Sequence, residues 1–113
     1  MNINLLNKIG YYQFDNLINN RVPFLFLNLA QDVSTWYNSI YKMHVETNQI
    51  MIQNSDEIIN VLNQRQIPKE FAILLLCNTG QQSESLARQL EIKGYTNVYL
   101  IDGGYQQMIK DKG

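Results

Sequence analysis

Two uninterrupted apolar runs limit the folds that are open to this chain. They cover residues 24–27 and 71–76, and neither alternates apolar with polar residues as a strand with one face in water would. Continuous apolar strands are typical of parallel sheets that helices cover on both faces. Residues 98–101 and residues 50–52 are further strand candidates. The sequence therefore predicts an α/β sandwich with a mainly parallel sheet.

Helical segments lie between these strand candidates. Their apolar residues recur at intervals of three or four, which is the spacing of one face of a helix. The predicted helices are residues 13–18; a short helix through Val33, Trp36, Tyr37 and Ile40, capped by Asp32 or Ser34; residues 55–64, capped by Ser55; residues 83–93, capped by Ser83 and ended by Gly94; and a last helix with Tyr105, Met108 and Ile109.

Length and charge exclude several classes of protein. With 113 residues the chain is long enough for one hydrophobic core, and we expect a single domain over residues 1–113. The net charge of −1, with scattered Lys and Arg, gives no reason to expect nucleic acid or a membrane surface as a partner. No apolar stretch has the length of a signal peptide or a membrane span, so we expect a cytoplasmic protein.

Cys77 is the one residue at which the sequence indicates a reaction. It follows the apolar run 71–76 and precedes a polar loop that leads into a predicted helix. A thiol at such a junction lies near unpaired backbone N–H groups and the positive end of the helix dipole, which favour the nucleophilic thiolate. The alternative is an inert core thiol, because cysteine is among the most buried residue types.

The residues from Cys77 onward form a longer pattern. It consists of Cys77, Gly80 and Ser83, then Ala87 and Leu90 on a helix, then Gly94-Tyr95-Thr96-Asn97-Val98, and finally the turn Gly103-Gly104. The pattern resembles the C-terminal half of rhodanese-like sulfurtransferase domains, in which Cys-x-x-Gly-x-x-Ser precedes a helix, a Gly-aromatic-x-Asn-Val segment and a Gly-Gly turn. Over the rest of the chain the resemblance rests on the order of the elements alone.

The resemblance implies a three-layer α/β/α sandwich and sulfur transfer through a persulfide on Cys77. The thiolate would take the outer sulfur from a donor and pass it to a thiol, with no metal or organic cofactor. The expected partner is a small sulfur donor or an acceptor thiol, and a protein persulfide is an alternative donor. The predicted substrate-binding residues are Asn78, Thr79, Gly80, Gln81, Gln82 and Ser83.

The loop departs from the family pattern in its charge. Rhodaneses usually carry Arg or Lys there, whereas this chain has Asn78 and Gln82, and Glu84 adds a negative charge. The usual Asp-Val-Arg after the early strand appears as residues 28–30, Asn-Leu-Ala. A neutral loop favours a persulfide over thiosulfate as the donor. It also leaves open a second class, a non-catalytic rhodanese-fold module that binds or regulates another protein.

Other chemically versatile residues have simpler interpretations. A lone histidine in an unassigned segment, His44, is expected to be a surface or structural residue. We expect Trp36, Tyr37 and Tyr41 to pack against the core or the surface rather than to line a ligand site. Asp56 and Glu57 are expected to be first-turn charges of a helix.

Overall fold

A parallel sheet forms the centre of the fold. The computed structural model describes residues 7–113. In this part of the chain there are five strands: β1 (Asn7–Ile9), β2 (Leu25–Asn28), β3 (Gln49–Met51), β4 (Ile73–Leu76) and β5 (Val98–Ile101). They form one sheet in the order β1-β5-β4-β2-β3, and all four neighbouring pairs are parallel. The predicted fold class is confirmed.

Helices cover both faces of this sheet. Over residues 7–113 they are α1 (Tyr11–Asn19), α2 (Ser39–Asn48), α3 (Glu57–Gln64), α4 (Gln81–Ile92) and α5 (Gly104–Lys112), with a short 3-10 helix at Ser34–Trp36. Helices α3 and α4 pack on one face, and α1, α2 and α5 pack on the other. No helix within the described residues is long and apolar enough to cross a membrane.

The apolar residues of β4 contribute to the hydrophobic cores on both faces of the sheet. Ile73 and Leu75 belong to the core under α3 and α4, while Leu74 and Leu76 belong to the core under α1, α2 and α5. All four side chains are buried. Each successive side chain points to the opposite face, so a strand covered on both sides needs apolar residues at every position.

The predicted helix through residues 33–40 is wrong. The chain makes only a 3-10 turn at Ser34–Trp36, becomes extended at Tyr37 and Asn38, and begins α2 at Ser39. The Tyr37 hydroxyl donates a hydrogen bond of 2.8 Å to Asp15 Oδ1 on α1. This contact with a distant helix holds Tyr37 outside a regular helix despite the local periodicity.

Two predicted helix caps are also wrong. Helix α3 begins at Glu57 rather than with Ser55, and the Glu57 carboxylate accepts hydrogen bonds from the N–H groups of Gln53 and Asn54 at 3.0 and 2.9 Å. Helix α4 begins at Gln81, so Ser83 lies inside its first turn. The residue before α4 is Gly80, whose φ of +95° turns the chain into the helix earlier than the sequence pattern indicates.

Strand β1 is not among the strands that the sequence predicts. This three-residue edge strand pairs with β5, and it contains two exposed polar residues, Asn7 and Lys8. Edge strands are often short and charged because this discourages pairing with other chains, and such a strand has no apolar run to detect.

A buried amide orders the loop after β2. Asn28 is fully buried; its Nδ2 donates to Gln31 O at 2.7 Å and to Gln49 Oε1 at 2.8 Å, and its Oδ1 accepts from the Ala30 N–H at 2.8 Å. The Gln49 side-chain amide in turn donates a hydrogen bond to Asp32 Oδ1. This bond lowers the pKa of Asp32, and a second hydrogen bond from the Ser34 N–H lowers it to a smaller extent. The network fixes the loop at the carboxyl end of the sheet.

We expect Asn28→Ala to lower the free energy of unfolding by about 2 kcal/mol, because it removes the three hydrogen bonds that the buried Asn28 side chain makes with Gln31, Gln49 and Ala30. Denaturant unfolding followed by circular dichroism measures this change. The exposed Asn60 on α3 is a matched control, and Asn60→Ala is expected to cause no loss. Equal free energies for the two variants would contradict a structural role for the Asn28 network.

Candidate active site

Cys77 lies at the carboxyl end of β4, where the chain passes over to α4. Its side chain is buried, with 2% of the residue exposed. The Sγ atom accepts hydrogen bonds from the backbone N–H of Gly80 at 3.1 Å and of Ser83 at 3.2 Å. Both donors belong to the turn that starts α4, so the sulfur lies at the helix N-terminus as the sequence predicted.

The start of α4 supplies further donors around the thiol. Along α4, the first backbone N–H that donates to the carbonyl four residues earlier is that of Glu84, which bonds to Gly80 O at 3.1 Å. Among residues 7–113, the N–H groups of Gln81 and Gln82 have no protein acceptor. Unpaired N–H groups and the helix dipole both stabilise negative charge at this end of a helix.

The loop is fixed by α5 from its other side. The N–H groups of Tyr105 and Gln106 donate to Cys77 O at 2.7 Å and to Asn78 O at 3.0 Å. Gly104 makes this approach possible, because a Cβ at that position would overlap Cys77 O and lie 2.7 Å from Asn78 O. Its φ of +69° also favours glycine. The turn was predicted, but its contact with the cysteine loop was not.

The predicted substrate-binding residues divide into two groups. Asn78, Thr79, Gln81 and Gln82 are exposed and form the rim of the loop. Gly80 and Ser83 are buried beside the thiol. The structure therefore brings all six residues next to Cys77, although only the two buried ones donate to its sulfur.

The charges around the loop are few and partly paired. From Cys77 to Gln82 there is no Lys or Arg. Glu84, whose charge would oppose a thiolate, forms an ion pair of 3.0 Å with Lys8 on β1. The sequence could not indicate this pair, because its two residues meet only when β1 joins the sheet. The stabilisation of a thiolate therefore depends on backbone dipoles.

Aromatic rings pack beside the loop. Trp36 stacks on Tyr105 with the ring centroids 5.8 Å apart, and Tyr11 meets Trp36 edge-on at 6.2 Å. Burial, together with the hydrogen bond to Asp15, raises the pKa of Tyr37. The packing roles predicted for Trp36 and Tyr37 are confirmed.

The remaining titratable candidates have structural contacts. His44 Nε2 lies 2.8 Å from Val22 O, and its ring packs edge-on against Phe24 with the centroids 6.3 Å apart. Glu57 is the first-turn charge of α3. In the described part of the chain, no group of three or more His, Cys, Asp or Glu residues could hold a metal ion.

Comparison with known proteins assigns the chain to one family. A family model of the rhodanese-like domain matches residues 30–111. The chain therefore belongs to the rhodanese-like domain family, as the sequence pattern around Cys77 indicates. The matched region contains the whole loop, α4 and all of α5 except Lys112.

Two curated proteins are similar to this chain. The thiosulfate sulfurtransferase GlpE of Tolumonas auensis is 43% identical over 42 residues, which cover 37% of this chain and 40% of that protein. The tRNA uridine(34) hydroxylase of Bdellovibrio bacteriovorus is 29% identical over 83 residues, which cover 71% of this chain and 23% of that protein. The chain thus spans less than half the length of either relative.

Solved structures show the same fold at low sequence identity. A protein of Staphylococcus saprophyticus has a TM-score of 0.63 at 18% identity, covering 91% of this chain and 93% of its own. The rhodanese-like domain of an Anabaena protein has a TM-score of 0.67 at 13% identity, covering 96% of this chain and 77% of its own. EanB, solved in complex with hercynine, has a TM-score of 0.63 at 17% identity, covering 99% of this chain and 28% of its own.

The contact between Gly104 and the loop gives a test of what positions the thiol. Gly104→Ala is expected to lower the free energy of unfolding by about 3 kcal/mol, because the positive φ and the overlap with backbone atoms both cost energy. Gly94 has a φ of +99°, and a Cβ there would meet only Lys69 Cδ at 3.9 Å. Gly94→Ala is therefore a control for the backbone strain alone, at about 1–2 kcal/mol.

Denaturant unfolding of both variants measures the difference. Equal losses for Gly104→Ala and Gly94→Ala would mean that the close approach to Cys77 O and Asn78 O is not what requires glycine at position 104.

Proposed function

We propose that this protein is a sulfurtransferase that carries sulfur as a persulfide on Cys77. The observation that carries the proposal is the pair of backbone N–H groups, from Gly80 and Ser83, that donate to Cys77 Sγ at 3.1 and 3.2 Å. Hydrogen bonds from N–H groups stabilise an anionic sulfur, and the thiolate is the nucleophilic form of cysteine. The similarity to a thiosulfate sulfurtransferase supports the same chemistry.

The reaction has two balanced steps. In the first, the Cys77 thiolate attacks the outer sulfur of a donor R–S–SH, so that Cys77–S–SH forms and R–S⁻ leaves with the electron pair of the broken S–S bond. In the second, an acceptor thiolate attacks the outer sulfur on Cys77, takes it as a new persulfide, and leaves Cys77 as the thiolate. No electrons are gained or lost overall, and neither step uses a metal or an organic cofactor.

The charge of the loop supports a persulfide as the donor. Thiosulfate is a dianion whose charge lies beside the transferred sulfur, and from Cys77 to Gln82 no cationic side chain is available to hold it. A low-molecular-weight persulfide or a protein persulfide presents its outer sulfur without a sulfonate group. Exposed amides on Asn78, Gln81 and Gln82 are suited to a donor of low charge density.

Incubation with glutathione persulfide, and separately with thiosulfate, tests the proposal. We expect intact-protein mass spectrometry to find one added sulfur atom, removable by reductant, in a larger fraction of the chains after glutathione persulfide than after thiosulfate. Cys77→Ser is the control and is expected to gain none. If neither donor adds sulfur to Cys77, the protein does not transfer sulfur from these donors and the proposed mechanism is wrong.

A cation placed on the rim tests the assigned donor preference. Gln82 is exposed in the first turn of α4, so Gln82→Arg adds a positive charge beside the loop. We expect the ratio of kcat/KM for thiosulfate to that for glutathione persulfide to rise roughly two- to fivefold, since an exposed ion pair contributes up to about 1 kcal/mol.

The exposed Gln89 lies further along the same helix, and Gln89→Arg adds an equal charge away from the loop. An equal rise in both variants would show that net charge, rather than the loop, determines the preference for the donor.

A second candidate function is a non-catalytic module that binds another protein through the loop face. The absence of Lys and Arg from residues 77–82 and the burial of Cys77 favour it. Iodoacetamide distinguishes the two functions in the native protein. Rapid alkylation of Cys77 at neutral pH supports the sulfurtransferase, whereas failure to label Cys77, together with recovery of a stable protein partner, supports the binding module.

A further inference from the structure

One buried hydroxyl near Cys77 has no hydrogen-bond partner. Ser83 is completely buried, and its Oγ is the one buried side-chain oxygen or nitrogen among residues 7–113 without a partner. The other buried polar side chains in this part of the chain belong to Asn28 and Ser34. Leaving a buried hydroxyl unpaired costs free energy, so this exception requires an explanation.

The position of Ser83 beside Cys77 indicates a role for its hydroxyl at the reacting sulfur. Its own backbone N–H donates to Cys77 Sγ at 3.2 Å, so the side chain begins next to the reacting sulfur. A serine inside a helix commonly bonds to a carbonyl three or four residues before it, here Gly80 or Thr79. The Ser83 hydroxyl forms neither bond, and Gly80 O already accepts from the Glu84 N–H.

We propose that the Ser83 hydroxyl donates a hydrogen bond to Cys77 Sγ when that sulfur becomes a thiolate. This inference rests on the proposed function and specifies a further residue for it. In the second transfer step the electron pair of the S–S bond moves onto Sγ, and the Ser83 hydroxyl joins the two N–H donors in stabilising the new negative charge. The hydroxyl keeps its proton, so no proton is transferred.

Removal of the hydroxyl alone tests the inference. Ser83→Ala keeps the backbone N–H and is expected to slow single-turnover sulfur release from loaded Cys77 to a thiol acceptor roughly tenfold or more, because hydrogen bonds to charged groups are the stronger kind. Ser83→Thr retains a hydroxyl and is expected to restore most of the rate. The exposed Ser85 lies on the same helix, and Ser85→Ala is expected to react like the wild-type protein.

Stability measurements separate this role from a structural one. Because the Ser83 hydroxyl has no partner, Ser83→Ala is expected to unfold at the same denaturant concentration as the wild-type protein or at a higher one. A fall in stability that parallels the fall in rate would overturn the inference, since it would assign the hydroxyl a structural role. A rate for Ser83→Ala equal to that of the wild-type protein would also overturn it.

Alkylation of Cys77 makes the inference independent of sulfur transfer. At neutral pH, iodoacetamide is expected to label Ser83→Ala roughly tenfold more slowly than wild-type protein, and at strongly alkaline pH the two rates are expected to converge. If wild-type Cys77 gains no sulfur but this difference is found, the proposed function fails and the role of Ser83 stands. If the wild-type protein gains sulfur but the alkylation rates are equal at neutral pH, the role of Ser83 fails alone.

Discussion

The contact between the cysteine loop and the N-terminus of α5 is the constraint on which the site depends. Two carbonyls of the loop, Cys77 O and Asn78 O, accept hydrogen bonds from the N–H groups of Tyr105 and Gln106. With these carbonyls directed toward α5, the following N–H groups of Gly80 and Ser83 are free to point at Sγ. A helix N-terminus thus orders one side of the loop, while a second helix N-terminus, that of α4, surrounds the sulfur. Glycine at position 104 is required because any Cβ would separate the two elements.

The electrostatics follow from the same arrangement. A thiolate needs positive potential nearby, and because residues 77–82 include no Lys or Arg, backbone dipoles have to supply much of it. The ion pair between Lys8 and Glu84 matters here because it places a positive charge beside a carboxylate in the first turn of α4. Edge strand β1 therefore has a consequence for the site as well as for the sheet, since it brings the lysine to the end of the helix where the carboxylate lies.

The sequence predicted those parts of the fold that depend on local pattern. The apolar runs of β2 and β4 identified buried parallel strands, and Gly94, with a φ of +99°, ends α4 as expected. Two of the failures depend on the tertiary arrangement rather than on local sequence. The hydrogen bond from Tyr37 to Asp15 interrupts a periodic segment, and β1 carries no apolar run because it lies at the sheet edge.

At the site, the sequence located Cys77 and its loop but could not show that α5 fixes the loop, or that Ser83 lies inside α4 rather than at its cap.

The burial of Cys77 bears on which donors can react there. Only 2% of the residue is exposed, and the exposed residues of the loop that surrounds it are Asn78, Thr79, Gln81 and Gln82. A persulfide ends in a single sulfur atom on a narrow chain, whereas thiosulfate brings a bulky, charged sulfonate group directly behind the sulfur it transfers. Desolvating that charge is costly unless a cation compensates for it, and the rim has only amides and one hydroxyl. Shape and electrostatics therefore favour the same donor class under the proposed function, and they do so through independent properties of the loop.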